Sequence, residues 1–341
     1  MHPTHDMRST LIASLLFNCF ESFHGYHECA IQQVKEGLRE IGECFEADGE
    51  GVADLLKKLD EQAVLYANTR NAEIHELYRK CGQESIDAMP RQFSTLAEAR
   101  ILLEIIIRRS VHWLASTIQL HDFSETCEPW SLFDVNPPAK EKKKTLYEYE
   151  RWRQAYEPLL ESEKKTKGGE SFVLAMTLRL HWLAGYLTVA SNASDISLDS
   201  GRFAAELEEI VSVSGLLLVE AMKTGKPYNF AFDMQVIVPL TTVGWIYRHR
   251  ALRRKVITLL QQSPRKEGVW DGVVIAKVLA WLVDLEEEGL ADEEYIPINS
   301  TARMIRMTFD AKAKVAEVSC LKPVRGAGSE KLIQMEAKIP W

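Results

Sequence analysis

Apolar residues recur at Ile12, Leu15, Leu16, Cys19, Phe20 and Phe23, the spacing of three and four that lays one greasy stripe along a helix. Gly25 ends that run. Ala30, Ile31, Val34, Leu38 and Ile41 begin another, so residues 9–43 read as an antiparallel helical hairpin. The same period predicts helices at 51–68, 71–82, 95–120, 146–162, 170–191, 202–224, 240–262 and 272–288. Nothing before residue 300 alternates as a strand should. After Asn299 the period changes, and RMIRMTF, a DAKA turn, KVAEVSCL and KLIQMEAKI read as two or three short antiparallel strands. The pattern predicts a predominantly all-α fold of stacked antiparallel helical hairpins around one core at 1–299. A short C-terminal antiparallel β segment, 300–341, packs on the same domain.

Three stretches interrupt the helical period. CEPWSLFDVNPPAKEKKK within 124–144 carries three prolines and a lysine run, and 161–170 and 191–201 are similarly polar, so all three read as exposed connections. With 46% hydrophobic and 26% charged residues over 341 positions, the chain has the balance of a folded globular protein able to bury a large core. Its formal net charge of −8 argues against nucleic acid as a direct partner, because phosphate binding needs clustered positive charge.

The six cysteines lie no closer than ten residues apart, which suits reduced, mostly buried thiols and lacks the paired spacing of a zinc site. Met1 is followed by HPTHDMRST, with neither a basic region nor a cleavage site of the secretory kind, so a cytoplasmic or nuclear setting is expected. The one apolar stretch of membrane length, 172–190, has Arg179 and His181 near its middle. Each is costly in lipid, so a buried helix is expected and no membrane partner.

One junction can be read in detail. In PRKEGVWD at 264–271, Pro264 cannot continue a helix and Asp271 is a good N-cap. Trp270 and Ile275 fall where a hydrophobic staple clips the entry of the next helix, and Gly289 supplies a left-handed stop at its end. The segment is a device that joins two packed helices, and its Arg265, Lys266 and Glu267 are expected to be exposed or paired.

LIASLLFNCFESFHGYHECAIQQVKEGLREI at 11–41, LDEQA at 59–63 and FSTLAEARILLEIIIRRSVHWL at 93–114 carry a resemblance to the C-terminal regulatory domain of fungal binuclear-zinc-cluster transcription factors. Its most specific part is FAFDMQVIVPL at 230–240, ALRRKVITLL at 251–260, PRKEGVWD and DLEEEG at 284–289, similar to the family in order and spacing. The resemblance implies a helical regulatory scaffold acting through a hydrophobic small molecule or a protein partner, in fungal regulation or specialised metabolism. A homodimer is compatible with it. The family's cysteine-rich zinc module is not found in these residues, so its DNA binding is not carried over.

Polar and aromatic residues gather on three predicted helices: His112 and Trp113; Arg179, His181, Trp182 and Tyr186; Trp245 and Tyr247. Trp182 and Tyr186 are four apart and Arg179 three before Trp182, so one helix face presents a cation and two rings. These eight residues are candidate ligand contacts, since an aromatic cavity with a few donors suits a hydrophobic small molecule, although such rings also fill cores. No metal-binding spacing, nucleophile elbow, phosphate loop or dinucleotide fingerprint is found, so neither metal nor cofactor is expected. The alternative function is therefore a cofactor-independent cyclase or pericyclase, Diels-Alderase-like, or an isomerase acting on a terpenoid or polyketide intermediate. RHRALRRK at 248–255 crowds Arg250, Arg253 and Arg254 on one helix side, and DLEEEG on the adjacent helix predicts an ion-paired seam between them.

Overall fold

Thr95 starts the helix that organises the molecule: its hydroxyl accepts the Glu98 N–H at 3.1 Å, while the Glu98 carboxylate reaches back to the Ser94 N–H at 2.8 Å. This reciprocal cap satisfies amides that no helical carbonyl can reach. In the computed structural model, residues 4–24, 29–30, 32–34, 72–120, 138–166, 168–191, 201–223, 230–291, 294–310, 313–324 and 332–340 are described. Their helices are α1 (Thr4–His24), α2 (Ala72–Lys80), α3 (Gln83–Asp87), α4 (Leu96–Leu120), α5 (Ala139–Thr166), α6 (Glu170–Ala190) and α7 (Ala204–Lys223). Then come α8 (Ile237–Ile246), α9 (Arg250–Gln262) and α10 (Gly272–Glu287). The fold is predominantly helical with a small C-terminal antiparallel sheet, as the periodicity predicts. The helix expected at 51–68, the stop at Gly25 and most of the second arm of the first hairpin lie outside the described residues.

The core forms around α6, packed by α4, α5, α7 and α8. Leu180, Leu183 and Leu187 on it are wholly buried, each contributing about 1.5–3 kcal/mol by leaving water. Among the described residues α6 is the one helix long and apolar enough to cross a membrane, by length and composition alone. Here its apolar sides meet other helices. On α5, Tyr149, Trp152, Tyr156 and Leu160 share the buried face. Trp152 donates through Nε1 to the Ala99 carbonyl at 2.8 Å, and the Tyr156 hydroxyl to the Ala175 carbonyl at 2.8 Å, so two aromatic donors clamp α5 to α4 and α6.

The lysine run expected in an exposed connection instead forms the first turns of α5, which begins at Ala139. Lysine is a good helix former and the prolines all precede it. Lys142 also donates to the Ala190 carbonyl at 2.9 Å and so closes the end of α6.

The predicted helix at 240–262 is two helices. Tyr247 is extended, with φ −98° and ψ 127°, and the break is held from far along the chain. Ile296 N–H donates to the Arg248 carbonyl at 2.9 Å and Arg250 N–H to the Glu294 carbonyl at 3.0 Å. His249 Nδ1 accepts the Leu252 N–H at 3.3 Å, capping α9. Close packing fixes α8 on the other side: a Cβ on Gly244 would lie 2.7 Å from a Leu279 methyl of α10. Among the described residues three two-residue strands also precede residue 300: β1 (Phe230–Ala231) pairs parallel with β2 (Lys266–Glu267), which pairs antiparallel with β3 (Trp270–Asp271). Such strands are too short to show alternation.

Asp271 caps α10 as expected, its carboxylate accepting the Val273 and Val274 N–H groups at 3.0 and 3.2 Å, with Trp270 and Ile275 both buried at the staple positions. Gly289 has the left-handed φ of 65° that ends the helix. After a 3₁₀ turn (Ile298–Ser300), β4 (Arg303–Asp310), β5 (Val315–Pro323) and β6 (Leu332–Pro340) form an antiparallel sheet in the order β4-β5-β6. Val318 pairs with Met307 on one side and Ala337 on the other. Ala316, Val318 and Cys320 point inward and join the helical core, β5 and β6 packing on α10. Burial pushes the Cys320 thiol up to about 12. Among the described residues Cys19, Cys29, Cys81 and Cys320 are free thiols.

Candidate functional site

A cavity of about 500 Å³ opens between α4, α6, α7 and the segment 233–235. Its walls are aliphatic, with Leu103 and Ile107 from α4, Val173, Leu174 and Leu178 from α6, and Leu217 from α7. One end is polar and is built around Arg100. The guanidinium donates from Nε to Glu104 at 2.8 Å and from Nη2 to Asp233 at 3.0 Å, joining α4 to the segment before α8. Burial works against the charge on Arg100, but the two carboxylates outweigh it and raise its pKa.

His181 completes that end. Its Nε2 lies 3.1 Å from the Gln235 carbonyl, and burial lowers the pKa of the ring. A carbonyl only accepts, so the neutral ring carries its proton on Nε2 and leaves Nδ1 unprotonated. The neutral ring stabilises the fold above its unfolded pKa of about 6.5, and that contribution is lost as pH falls toward the lower folded value.

The segment bearing Asp233 and Gln235 is positioned by a carboxylate buried behind it. Glu267, fully enclosed on β2, accepts the N–H groups of Gln235, Val236 and Ile237 at 2.8, 3.1 and 3.0 Å. Arg265 lies 3.1 Å from the same carboxylate and donates to the Gln235 side chain at 2.6 Å. The expectation that Arg265 and Glu267 are exposed or paired resolves as a buried pair that also caps α8.

Of the eight candidate contacts, His181 alone lines this cavity. Arg179, Trp182 and Tyr186 come together as the helix spacing requires, with Arg179 4.8 Å above the Trp182 ring and the two rings stacked at 5.1 Å. That face turns toward α5 and α7. Arg179 is held in a two-pronged pair with Glu209 at 2.8 and 2.7 Å, and Trp182 donates to the Tyr149 carbonyl at 2.8 Å. His112 is wholly buried against α2, stacked on Tyr78 and with its Nδ1 2.9 Å from that of His75, so one ring donates to the other. Trp113 forms a wall of a second cleft, of about 400 Å³, with Arg109 and Glu148. Trp245 and Tyr247 line neither space; the Tyr247 hydroxyl lies 3.4 Å from that of Tyr295.

Arg100, Glu104, Asp233 and Gln235 were not among the sequence candidates. Glu104 follows Arg100 by four, a local signal, but Asp233 lies 133 residues away and no periodicity links them. The arginine cluster forms the predicted seam: Arg253 pairs with Glu286 and Arg254 with Glu287, with Arg248 3.9 Å from Glu286 and Arg250 3.8 Å from Glu287. Among the described residues no three His, Cys, Asp or Glu side chains converge on a metal position. No protein-family model matches the chain, and comparison with curated proteins and solved structures returns no significant similarity.

Proposed function

We propose that the protein is a transcription-factor-like helical scaffold that works by binding a hydrophobic small molecule between α4, α6 and α7. The cavity supports this reading: its volume of about 500 Å³ suits a small ligand, its walls are aliphatic, and polar groups converge at one end. The regulatory role rests on the resemblance of 230–289 and its partner segments to the fungal factors. Decan-1-ol titrated calorimetrically into the protein should bind at a single site. Leu174→Trp, which fills the cavity from α6, should weaken that binding about tenfold or more, a change of about 1.4 kcal/mol, with little change in thermal midpoint. Equal affinity in both proteins removes the cavity from the function.

His181 favours a second reading, a cofactor-free cyclase or isomerase of a terpenoid or polyketide intermediate. A neutral imidazole with an unprotonated nitrogen, set beside an aliphatic wall, can take or relay a proton from a folded substrate. On this reading His181→Gln, which keeps a donor for the Gln235 carbonyl, lowers turnover of the intermediate toward the rate in buffer. Conversion by the wild-type protein at the buffer rate, with unchanged product ratio, eliminates it.

A further inference from the structure

The charges around the cavity point to the chemical class of its ligand. Among the described residues that line it, four carboxylates, Glu104, Glu170, Glu220 and Asp233, stand with two cations, Arg100 and Lys223, two more negative charges than positive. Both cations are already engaged: Arg100 holds Glu104 and Asp233 at 2.8 and 3.0 Å, and Lys223 holds Glu220 at 2.6 Å. Glu170, exposed at the rim, has no ion-pair partner among the described residues. An anionic head group would meet two cations whose charge the neighbouring carboxylates already balance, and would also face the remaining negative charge. A cationic head adds to the carboxylates without breaking a pair.

The helix ends do not reverse this preference. The start of α6, at Glu170, brings partial positive charge to the mouth, and the last turn of α7, at Glu220 and Ala221, brings the opposite. The two offset each other, leaving the side chains to decide.

We infer that the cavity takes a hydrophobic amine, its apolar body against the aliphatic walls of α4, α6 and α7 and its ammonium group at the polar end beside Asp233 and Glu104. This rests on the proposal that the cavity binds an apolar molecule, and a matched series separates the two. Decylamine, decan-1-ol and decanoate share one chain and differ in head charge at neutral pH. Titrated calorimetrically into the intact protein below their micelle concentrations, decylammonium should bind tightest, about tenfold or more ahead of decanoate. The ratio between these two should shrink most in Asp233→Asn and, by a smaller factor and independently of any effect on the Arg100 pair, in Glu170→Gln, which removes a charge at the rim. Decanoate binding as tightly as decylammonium overturns the amine inference while bound decan-1-ol leaves the cavity reading standing. An ammonium preference unchanged in both variants also overturns the inference, because the carboxylates would not be its source. Failure of all three probes to bind overturns both.

Discussion

Replacing Glu286 by alanine is expected to remove about 3–5 kcal/mol of folding stability, the cost of stranding one partner of a buried ion pair. Glu286 and Arg253 are each 1% exposed, and the guanidinium also donates from Nε to the Gly244 carbonyl at 3.0 Å. The same carboxylate accepts the Ala302 N–H at 2.8 Å, so it ties α10 both to α9 and to the chain entering β4. Alanine leaves Arg253 charged and enclosed, and leaves the Ala302 amide without its acceptor. Urea unfolding of the single variant reads the loss directly. A loss below about 1 kcal/mol would give the pair no more weight than one on the surface. A control is the double variant R253M/E286L, which replaces both charges by apolar groups of similar length and should recover much of the stability.

The pH dependence of Glu286 has a definite sign. Burial pushes its carboxyl up, but Arg248, Arg253 and the Ala302 amide outweigh burial and hold it below the usual carboxylate range. A depressed folded pKa contributes stability above the unfolded value of about 4.3, and that contribution disappears as pH falls through the folded value. The wild-type protein should therefore lose more stability than E286A on acidification below about pH 4. Glu267 shifts upward instead, with burial its largest cause, and so does not add to this acid sensitivity.

The sequence exposes the parts of the fold that are written in neighbouring residues. Leu180, Leu183 and Leu187 lie on one side of α6 because of helical spacing, and that spacing alone predicts the helix. The Arg179, Trp182 and Tyr186 stack was legible for the same reason. Which neighbour the stack would meet was not, since the facing of α6 depends on the simultaneous packing of α4, α5, α7 and α8. The seam between α9 and α10 could be anticipated because both charge runs are local and their helices are joined by one short connection. The break at 247–249 could not, because the backbone of 294–296 makes it. The cavity's polar end fails to show for a related reason. Arg100 with Glu104 is an ordinary helix pair until Asp233 is folded against it, and Asp233 is placed there by a carboxylate on β2.

That carboxylate carries the second large expectation: Glu267→Ala should cost about 3–5 kcal/mol and also weaken the cavity's hold on an apolar ligand. The first effect follows from the three N–H groups at the start of α8, which would lose their acceptor, together with Arg265, which would lose its partner in a buried position. The second follows from geometry. Gln235, whose N–H Glu267 holds, offers its carbonyl to His181, and Asp233 two residues earlier holds Arg100. Loosening the start of α8 frees the polar wall of the cavity even where the aliphatic wall stays intact. Glu267→Gln keeps one acceptor oxygen and the side-chain volume, so it should lose less of both. Urea unfolding and decan-1-ol titration of the two variants, at a temperature where each is folded, measure the effects separately. Stability lost with ligand affinity unchanged would show that the cavity does not depend on the 233–235 segment, and its site would then reduce to the faces of α4, α6 and α7.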